Sequence, residues 1–371
     1  RGRLTNHKNN LKSVNRQNEE SAMNPKEIFA QRFKMARIAQ GLTLRKLADI
    51  LGFSHNTIHK YENGTALPNS EGLIKIAKIL NQPVDFFSRP IAVQLEKIEF
   101  RKKSSLGKKK IDQIQHEAKD YFERYQFLEE SLGIGTDFVN PLEHFQVNTI
   151  DDVEDAALFL RNAWKLGLDA IVNVLELLEN RSFKIRLLDT DEKLDGFSGY
   201  QGATPVIVLN KKYLADRLRF TALHEVGHLL LKLSPLFSEK EQEKACHRFA
   251  GAMLIPKDVF FREFGGHRER LTAKELIEIK EEYGISIAAI IYRARDLGLV
   301  SESFCTTFWI QYNQWGWKTM EPGELVVRET SHRFEQLLQR AAATEALSLS
   351  KCASLARKPL EEFRKEIEFI P

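Results

Sequence analysis

His224-Glu225-Val226-Gly227-His228 sets two imidazoles four residues apart around a carboxylate. On a helix an i, i+4 pair shares one face, so both rings can direct a nitrogen to one metal ion. Glu225 falls beside that ion rather than on it. Its carboxylate is placed to take a proton from a water whose pKa a zinc ion lowers to about 7. Leu223, Val226, Leu229, Leu230 and Leu231 surround the pair. They predict a largely buried helix, and two histidines facing an apolar wall need a partner. The bland alternative is a surface helix whose histidines hold nothing, and it fits those neighbours poorly. A catalytic zinc takes three protein ligands and keeps one position open. The helix-patterned stretch Glu239–Pro256 offers Glu239, Glu241, Glu243, Cys246 and His247. Helical spacing favours Glu243 without deciding among them.

Leu42–Gly64 carries a different chemistry, that of reading base edges. Thr43 suits an N-cap, and Leu44, Leu47, Ala48 and Leu51 form one apolar face. Ala48 is small enough for a second helix to cross closely. Gly52 can end the first helix in the left-handed conformation, and Ser54 can cap the next. Ile58 and Tyr61 then turn inward, while His55, Asn56, Thr57, His59 and Lys60 point outward. Asn and Lys can hydrogen-bond base edges, a Thr methyl can meet a thymine methyl, and a helix N-terminus can face phosphate. Two helices joined by a Gly turn also occur in plain bundles with a solvated polar face, so the pattern alone does not decide.

These two motifs need elements to hold them. The 371 residues, 43% of them hydrophobic and 29% charged, suit two or three ordinary globular domains. We expect a mainly α protein containing a small α+β domain around the HExxH helix. Residues 1–23 are polar and basic and read as a disordered leader without the apolar stretch of a secretory signal. Residues 24–90 read as a five-helix bundle, and 91–147 as a basic, helical connector. Residues 148–300 hold the HExxH domain, with strands expected at Phe183–Leu188 and Pro205–Leu209. Residues 301–371 form a small C-terminal region with a Trp-rich stretch, Phe308–Trp317, and two helices, Arg333–Ala341 and Ser348–Phe363. The second of these weakly echoes half of a helix-turn-helix. Three cysteines without CxxC spacing exclude a disulfide framework. No apolar run is long enough to span a membrane, so no membrane partner is expected and a cytoplasmic location is the default. The net charge of +4 divides unevenly. Residues 1–125 hold 24 Lys+Arg against 13 Asp+Glu, a net of +11 that leaves −7 for the rest. A basic front and an acidic back suggest nucleic acid at one end and protein at the other.

Lys26–Pro90 resembles the Xre-type (Cro/C1-like) helix-turn-helix family. The likeness lies in the Gly-Leu-Thr-Leu opening, Leu-Ala-x-x-Leu-Gly and Tyr-Glu-Asn-Gly. It implies base contacts from His55, Asn56, Thr57 and Lys60, phosphate contacts from Arg45 and Ser54, a double-stranded operator, and a homodimer. Arg219-Phe220-Thr221-x-x-His224-Glu225-x-Gly227-His228 resembles the ImmA/IrrE metallopeptidase family. The likeness continues in Glu243-x-x-Cys246-x-x-Phe249-Ala250, in Leu254-Ile255-Pro256, and upstream from Glu154 to the strand ending at Asn210. By that resemblance Glu243 is the third ligand of a Zn2+ held with His224 and His228, and Glu225 is the catalytic base. Cys246 stands where the family usually has Ala, and His247 where it has Asn. Neither is expected in the ligand set, and His247 is a candidate to orient Glu243. A zincin of this kind implies a strand beside the HExxH helix to which substrate adds, and Pro205–Asn210 is the candidate. Tyr292 and Arg293 are minor candidates to reach the oxyanion.

The whole then resembles an Xre-type regulator fused to an ImmA/IrrE peptidase that cleaves a partner protein, such as a repressor or antitoxin. The rival reading is a DNA-binding regulator or antitoxin whose zincin-like domain senses a signal, or binds a partner such as a toxin, without significant proteolysis.

Overall fold

The computed structural model describes residues 24–89, 107–135, 138–190, 194–326 and 328–367, and the backbone of 95–96. The expected leader and the basic run Phe100–Lys103 lie outside the described residues. The chain forms two compact units. Among the described residues, one gathers those up to Arg89, Gly107–Glu123 and those from Leu347 on. The other gathers Leu95–Glu96 and the described residues of Arg124–Ala346. Both are mostly helical.

The first unit opens with α1 (Pro25–Ala39), whose proline sits in the first turn, where a missing N–H costs nothing. α2 (Leu44–Leu51) starts at Thr43, which accepts from the Lys46 N–H at 3.2 Å, and ends at Gly52 with φ 68°. α3 (His55–Glu62) starts at Ser54, which accepts from the Thr57 N–H at 3.0 Å. α4 (Ser70–Ile79) follows, and a 3-10 turn, Val84–Ser88, stands as the fifth helical element. Phe33, Leu47, Leu51, Ile58, Ile76 and Leu80 are wholly buried at its centre. Strand β1 (Leu95–Glu96) and helix α5 (Lys108–Ser131) come next, and α5 begins in the first unit and ends in the second. Buried Arg32 pairs with Glu123 of α5 and donates to the Arg89 carbonyl at 2.9 Å.

In the second unit come β2 (Gln146–Val147), α6 (Asp152–Ala163), α7 (Val174–Glu179) and β3 (Lys184–Leu188). They are followed by β4 (Gly196–Gln201), β5 (Thr204–Asn210) and α8 (Ala215–Leu230). The main sheet has the order β1-β4-β5-β3, with β5 antiparallel to β4 and parallel to β3. β5 therefore lies inside the sheet, which corrects the expectation that peptide adds to Pro205–Asn210. Its near-continuous apolar run marks a strand buried on both faces. β4 offers a partly open edge, where β1 covers only Gln201 and Tyr200 among the described residues. β6 (Lys232–Leu233) pairs with β2.

α9 (Glu239–Leu254), α10 (Lys257–Phe264), α11 (Ala273–Tyr283), α12 (Ile287–Asp296) and α13 (Glu302–Gln314) complete the helical layer. A buried ion network ties two of them to α6. Glu154 of α6 accepts from Arg248 of α9 at 3.0 Å and from Arg293 of α12 at 2.9 and 3.1 Å. Removing one member of such a network typically costs about 3–5 kcal/mol. Arg161 of α6 is wholly buried and donates to three backbone carbonyls, those of Gly167, Asp169 and Met253. Burial pulls its guanidinium down to about 10.

The unit runs past residue 300. Glu321 accepts from the Ile287 and Ala288 N–H groups at the start of α12, at 2.8 and 2.9 Å. Glu329 does the same at the start of α7, at 2.9 and 3.0 Å from Val174 and Leu175. Each carboxylate satisfies N–H groups that have no partner within the helix. α14 (Arg333–Ala343) ends the unit. The chain then returns to the first unit as α15 (Leu349–Ala356) and α16 (Leu360–Glu366). The single helix expected over Ser348–Phe363 is thus two. Pro359 lacks an N–H and disfavours the α conformation at the residue before it, and Arg357 turns left-handed with φ 58°. Among the described residues no helix is long and apolar enough to cross a membrane.

Candidate functional site

α8 carries His224, Glu225 and His228, and its flanking leucines and Val226 enter the core as the apolar pattern implies. α9 supplies Glu243. Ser238 and Glu241 form a capping box that fixes the start of α9, one turn before Glu243. Gly227 sets how close the two helices come. A Cβ there would lie 3.2 Å from Cys246 Cα and 3.3 Å from Phe249 Cδ1, tighter than real contacts allow without movement. The glycine inside the motif is therefore what lets α9 bring its carboxylate to the histidines.

His224, His228 and Glu243 each offer a donor atom within 4.8 Å of the others, the only such group of three among the described residues. The two Nε2 atoms are 3.0 Å apart, and His224 Nε2 lies 3.5 Å from Glu243 Oε2. A tetrahedron with Zn–N bonds of about 2.0–2.1 Å has edges of about 3.3 Å, which these distances bracket. Two imidazoles and one carboxylate at these separations suit a zinc ion.

Side chains around the donors hold them. Ser198 of β4 donates to Glu225 Oε2 at 2.6 Å. Tyr200, two residues along, donates to the Leu229 carbonyl at 2.6 Å, and burial pushes its phenol up. Cys246 Sγ lies 2.7 Å from His228 Nδ1, on the far side of the ring from Nε2. Cys246 is not one of the three grouped donors, yet it touches one of them. An Nδ1–H partner of this kind fixes the tautomer and orientation of a metal-binding imidazole. His247 Nδ1 donates to the Glu243 backbone carbonyl at 2.8 Å and stays 4.0 Å from its carboxylate. Its ring stands edge-on to His224, with centroids 4.2 Å apart. Arg293 is committed to Glu154 and buried, so it belongs to the frame rather than to an oxyanion site. The Tyr292 ring lies tilted against Trp309, with centroids 4.7 Å apart. Ser198 was missed from sequence because it stands 27 positions before Glu225 on another element, with no spacing to betray it.

In the first unit His55, Asn56, His59 and Lys60 are exposed on α3, Thr57 is half-buried beside Ser54, and Arg45 is exposed on α2. Ser54 Oγ lies 2.8 Å from Thr57 Oγ1. His59 meets Asn63 at 3.1 Å.

Residues 33–87 match the helix-turn-helix family model. Residues 179–295, from the end of α7 to α12, match the peptidase-family model described as the IrrE N-terminal-like domain. This chain joins an Xre-type helix-turn-helix domain to an ImmA/IrrE-like domain. Over 69 residues it is 32% identical to a SPbeta prophage-derived uncharacterized HTH-type transcriptional regulator, YonR, of Bacillus subtilis, covering 19% of this chain and 64% of that protein. Over 65 residues it is 38% identical to uncharacterized HTH-type transcriptional regulators of Sinorhizobium medicae and Rhizobium meliloti, covering 17% of this chain and 47% of each. The chain thus spans less than two thirds of the length of these curated relatives. It carries a helix-turn-helix domain and, further along, a peptidase-family domain.

Proposed function

We propose that the fusion is a sequence-specific regulator whose second unit is a zinc-dependent endopeptidase acting on a partner protein, such as a repressor or antitoxin. The observation that carries this reading is the convergence of His224, His228 and Glu243 with Glu225 beside them and Ser198 holding its carboxylate. A zinc ion held by the three donors would polarise the scissile carbonyl and acidify water. Glu225 takes the proton from the attacking water and passes it to the departing amine. Ser198, donating to Oε2, keeps that carboxylate aimed. The edge of β4 beside α8 supplies backbone groups that pair with an extended substrate. Arg45, Ser54, His55, Asn56, Thr57 and Lys60 make the DNA contacts, and two copies of the chain share two half-sites.

The test compares the wild type with Glu225→Gln. Zinc content, transcription from the neighbouring promoter and integrity of the neighbouring gene products are measured together. Equal zinc, with partner loss only in the wild type, is the expected result. Identical regulation by both proteins with no cleavage by the wild type would sink the peptidase reading and leave a sensing or binding role.

A further inference from the structure

A cavity of about 980 Å³ opens beside the metal donors, walled by α8, α9, α12, α13 and the segment after α13. That is the upper end of ligand-binding pockets, about 300–1,000 Å³. His247 lines the cavity and also stands against His224, so the two spaces share a wall. Phe220, four residues before His224, lines it too.

The direction of approach follows from β4. Ser198 reaches Glu225 and Tyr200 reaches Leu229, so the strand runs alongside α8. At its other end, a Cβ on Gly196 would lie 3.1 Å from Thr221. β1 pairs with this edge antiparallel, Leu95 opposite Gln201 and Glu96 opposite Tyr200. A peptide lying in that sense passes Ser198 and Glu225 and carries its C-terminal portion past Gly196 toward Phe220 and the cavity.

The wall selects for charge. Its carboxylates are engaged. Glu321 accepts from two N–H groups of α12 and from the Tyr312 hydroxyl, and faces Lys280 at 3.3 Å. Asp296 pairs with Arg295 at 3.1 Å. Asp216 accepts from the Arg217 N–H at 2.8 Å, and its burial pushes the carboxyl up toward the neutral form. Lys244 and Lys318 line the same cavity, are exposed, and form no ion pair among the described residues. Leu214, Tyr292 and Met320, also in the lining, leave 67%, 48% and 77% of their surface exposed. Together these walls offer two uncommitted cations and an apolar rim.

We propose that this cavity is a recognition pocket for an acidic peptide segment bearing a bulky apolar side chain, on the C-terminal side of the bond to be cut. The placement relative to the bond rests on the peptidase reading; the binding does not.

The test uses the full chain carrying Glu225→Gln and two fluorescein-labelled hexapeptides, Glu-Asp-Leu-Phe-Glu-Asp and Gln-Asn-Leu-Phe-Gln-Asn, followed by anisotropy. The acidic peptide should bind at least about tenfold tighter at low salt, and the gap should narrow as salt rises. Lys244→Gln with Lys318→Gln should bring the two peptides within about twofold of each other. Both lysines are exposed, so these variants should keep the parent's circular dichroism and melting temperature. Equal affinity, no binding of either peptide, or a preference that survives the double substitution overturns the proposal. So does tighter binding of a single-stranded oligonucleotide of matching charge. Cleavage is read separately with Glu225 intact. A charge preference without cleavage upholds the pocket and removes the peptidase reading, whereas cleavage without preference removes the pocket alone.

Discussion

Two helix pairs in the first unit share one geometry and differ in what they show to solvent. α2 and α15 are each eight residues long, start at a hydroxyl cap (Thr43, Ser348) and end left-handed (Gly52, Arg357). The closing hydrogen bonds match. Gly52 and Phe53 donate to Asp49 and Ala48, and Arg357 and Lys358 donate to Ser354 and Ala353. The following helices, α3 and α16, start after turns of equal length and bury Ile58 and Phe363 at matching positions. The outward residues part company. Where α3 shows Asn56 and Thr57, α16 shows Glu361 and Glu362, and Pro359 stands in place of Ser54. Carboxylates at those positions repel phosphate, and a proline offers it no hydroxyl.

A helix-turn-helix backbone is thus set by caps, a small buried residue and one left-handed position, whereas reading DNA is set by side chains the backbone does not need. α15 has its own use for polar groups. Lys351 and Ser354 reach Asp85 at 2.7 and 3.0 Å, and Arg357 reaches Asp120 and Gln82 at 2.7 and 3.0 Å. It is a docked element, whereas α2 and α3 are the pair proposed to read DNA.

Four measurements break or sharpen this contrast. The largest effect belongs to α3. Asn56→Ala with Lys60→Ala should weaken binding to a selected operator at least about 100-fold, since each good base contact contributes about 1–3 kcal/mol. Glu361→Gln with Glu362→Gln should leave it within about twofold in the same gel shift. An equal loss from both pairs would show that α16 also meets DNA.

Next comes Arg357→Ala, which keeps the left-handed strain and takes from the buried Asp120 carboxylate its 2.7 Å contact with the guanidinium. A loss of about 1–3 kcal/mol in urea unfolding is expected. An unchanged midpoint would mean α15 is not docked through this contact.

Gly52→Ala should cost about 1 kcal/mol through backbone strain alone. Its Cβ would meet nothing closer than Lys75 Nζ at 3.9 Å, so the operator contacts should survive. A larger loss would point to a clash rather than strain.

The smallest effect is acidic. Burial by itself would raise the Asp85 carboxyl, but the Lys351 hydrogen bond, with Arg89 and Ser354, outweighs it and holds the group below its ordinary 3.8. A folded value below the unfolded one adds stability above about pH 4 that is lost as pH falls further. Asp85→Asn should flatten that part of the acid limb, and an identical limb in the variant would remove Asp85 from the account.

Legibility followed the distance between partners. The caps and turn of Leu42–Gly64 lie within a few residues of each other, so the motif could be read directly. The two histidines share one helix and could be paired by spacing. Glu243 sits on another helix, and spacing left it among five candidates until the family resemblance singled it out. Ser198 left no sign at all, because β4 meets Glu225 only when the sheet packs on α8. The inner place of β5 was misjudged for a related reason. An apolar strand announces burial, but which strands flank it depends on chain topology. The Trp-rich stretch divides in space as well: Phe308 enters the core, while Trp317 lines the cavity.

The sequence by itself determined the two chemistries, the helix that carries each and the turn residues that end them, because capping, left-handed glycine and helical spacing are local. Tertiary structure alone decided that α9 approaches α8 closely enough at Gly227 to complete the donor set. It decided that Ser198 and Cys246 touch Glu225 and His228. It also placed the charged cavity next to the donors, because each of these depends on elements far apart in the chain that meet only when their apolar faces are buried together.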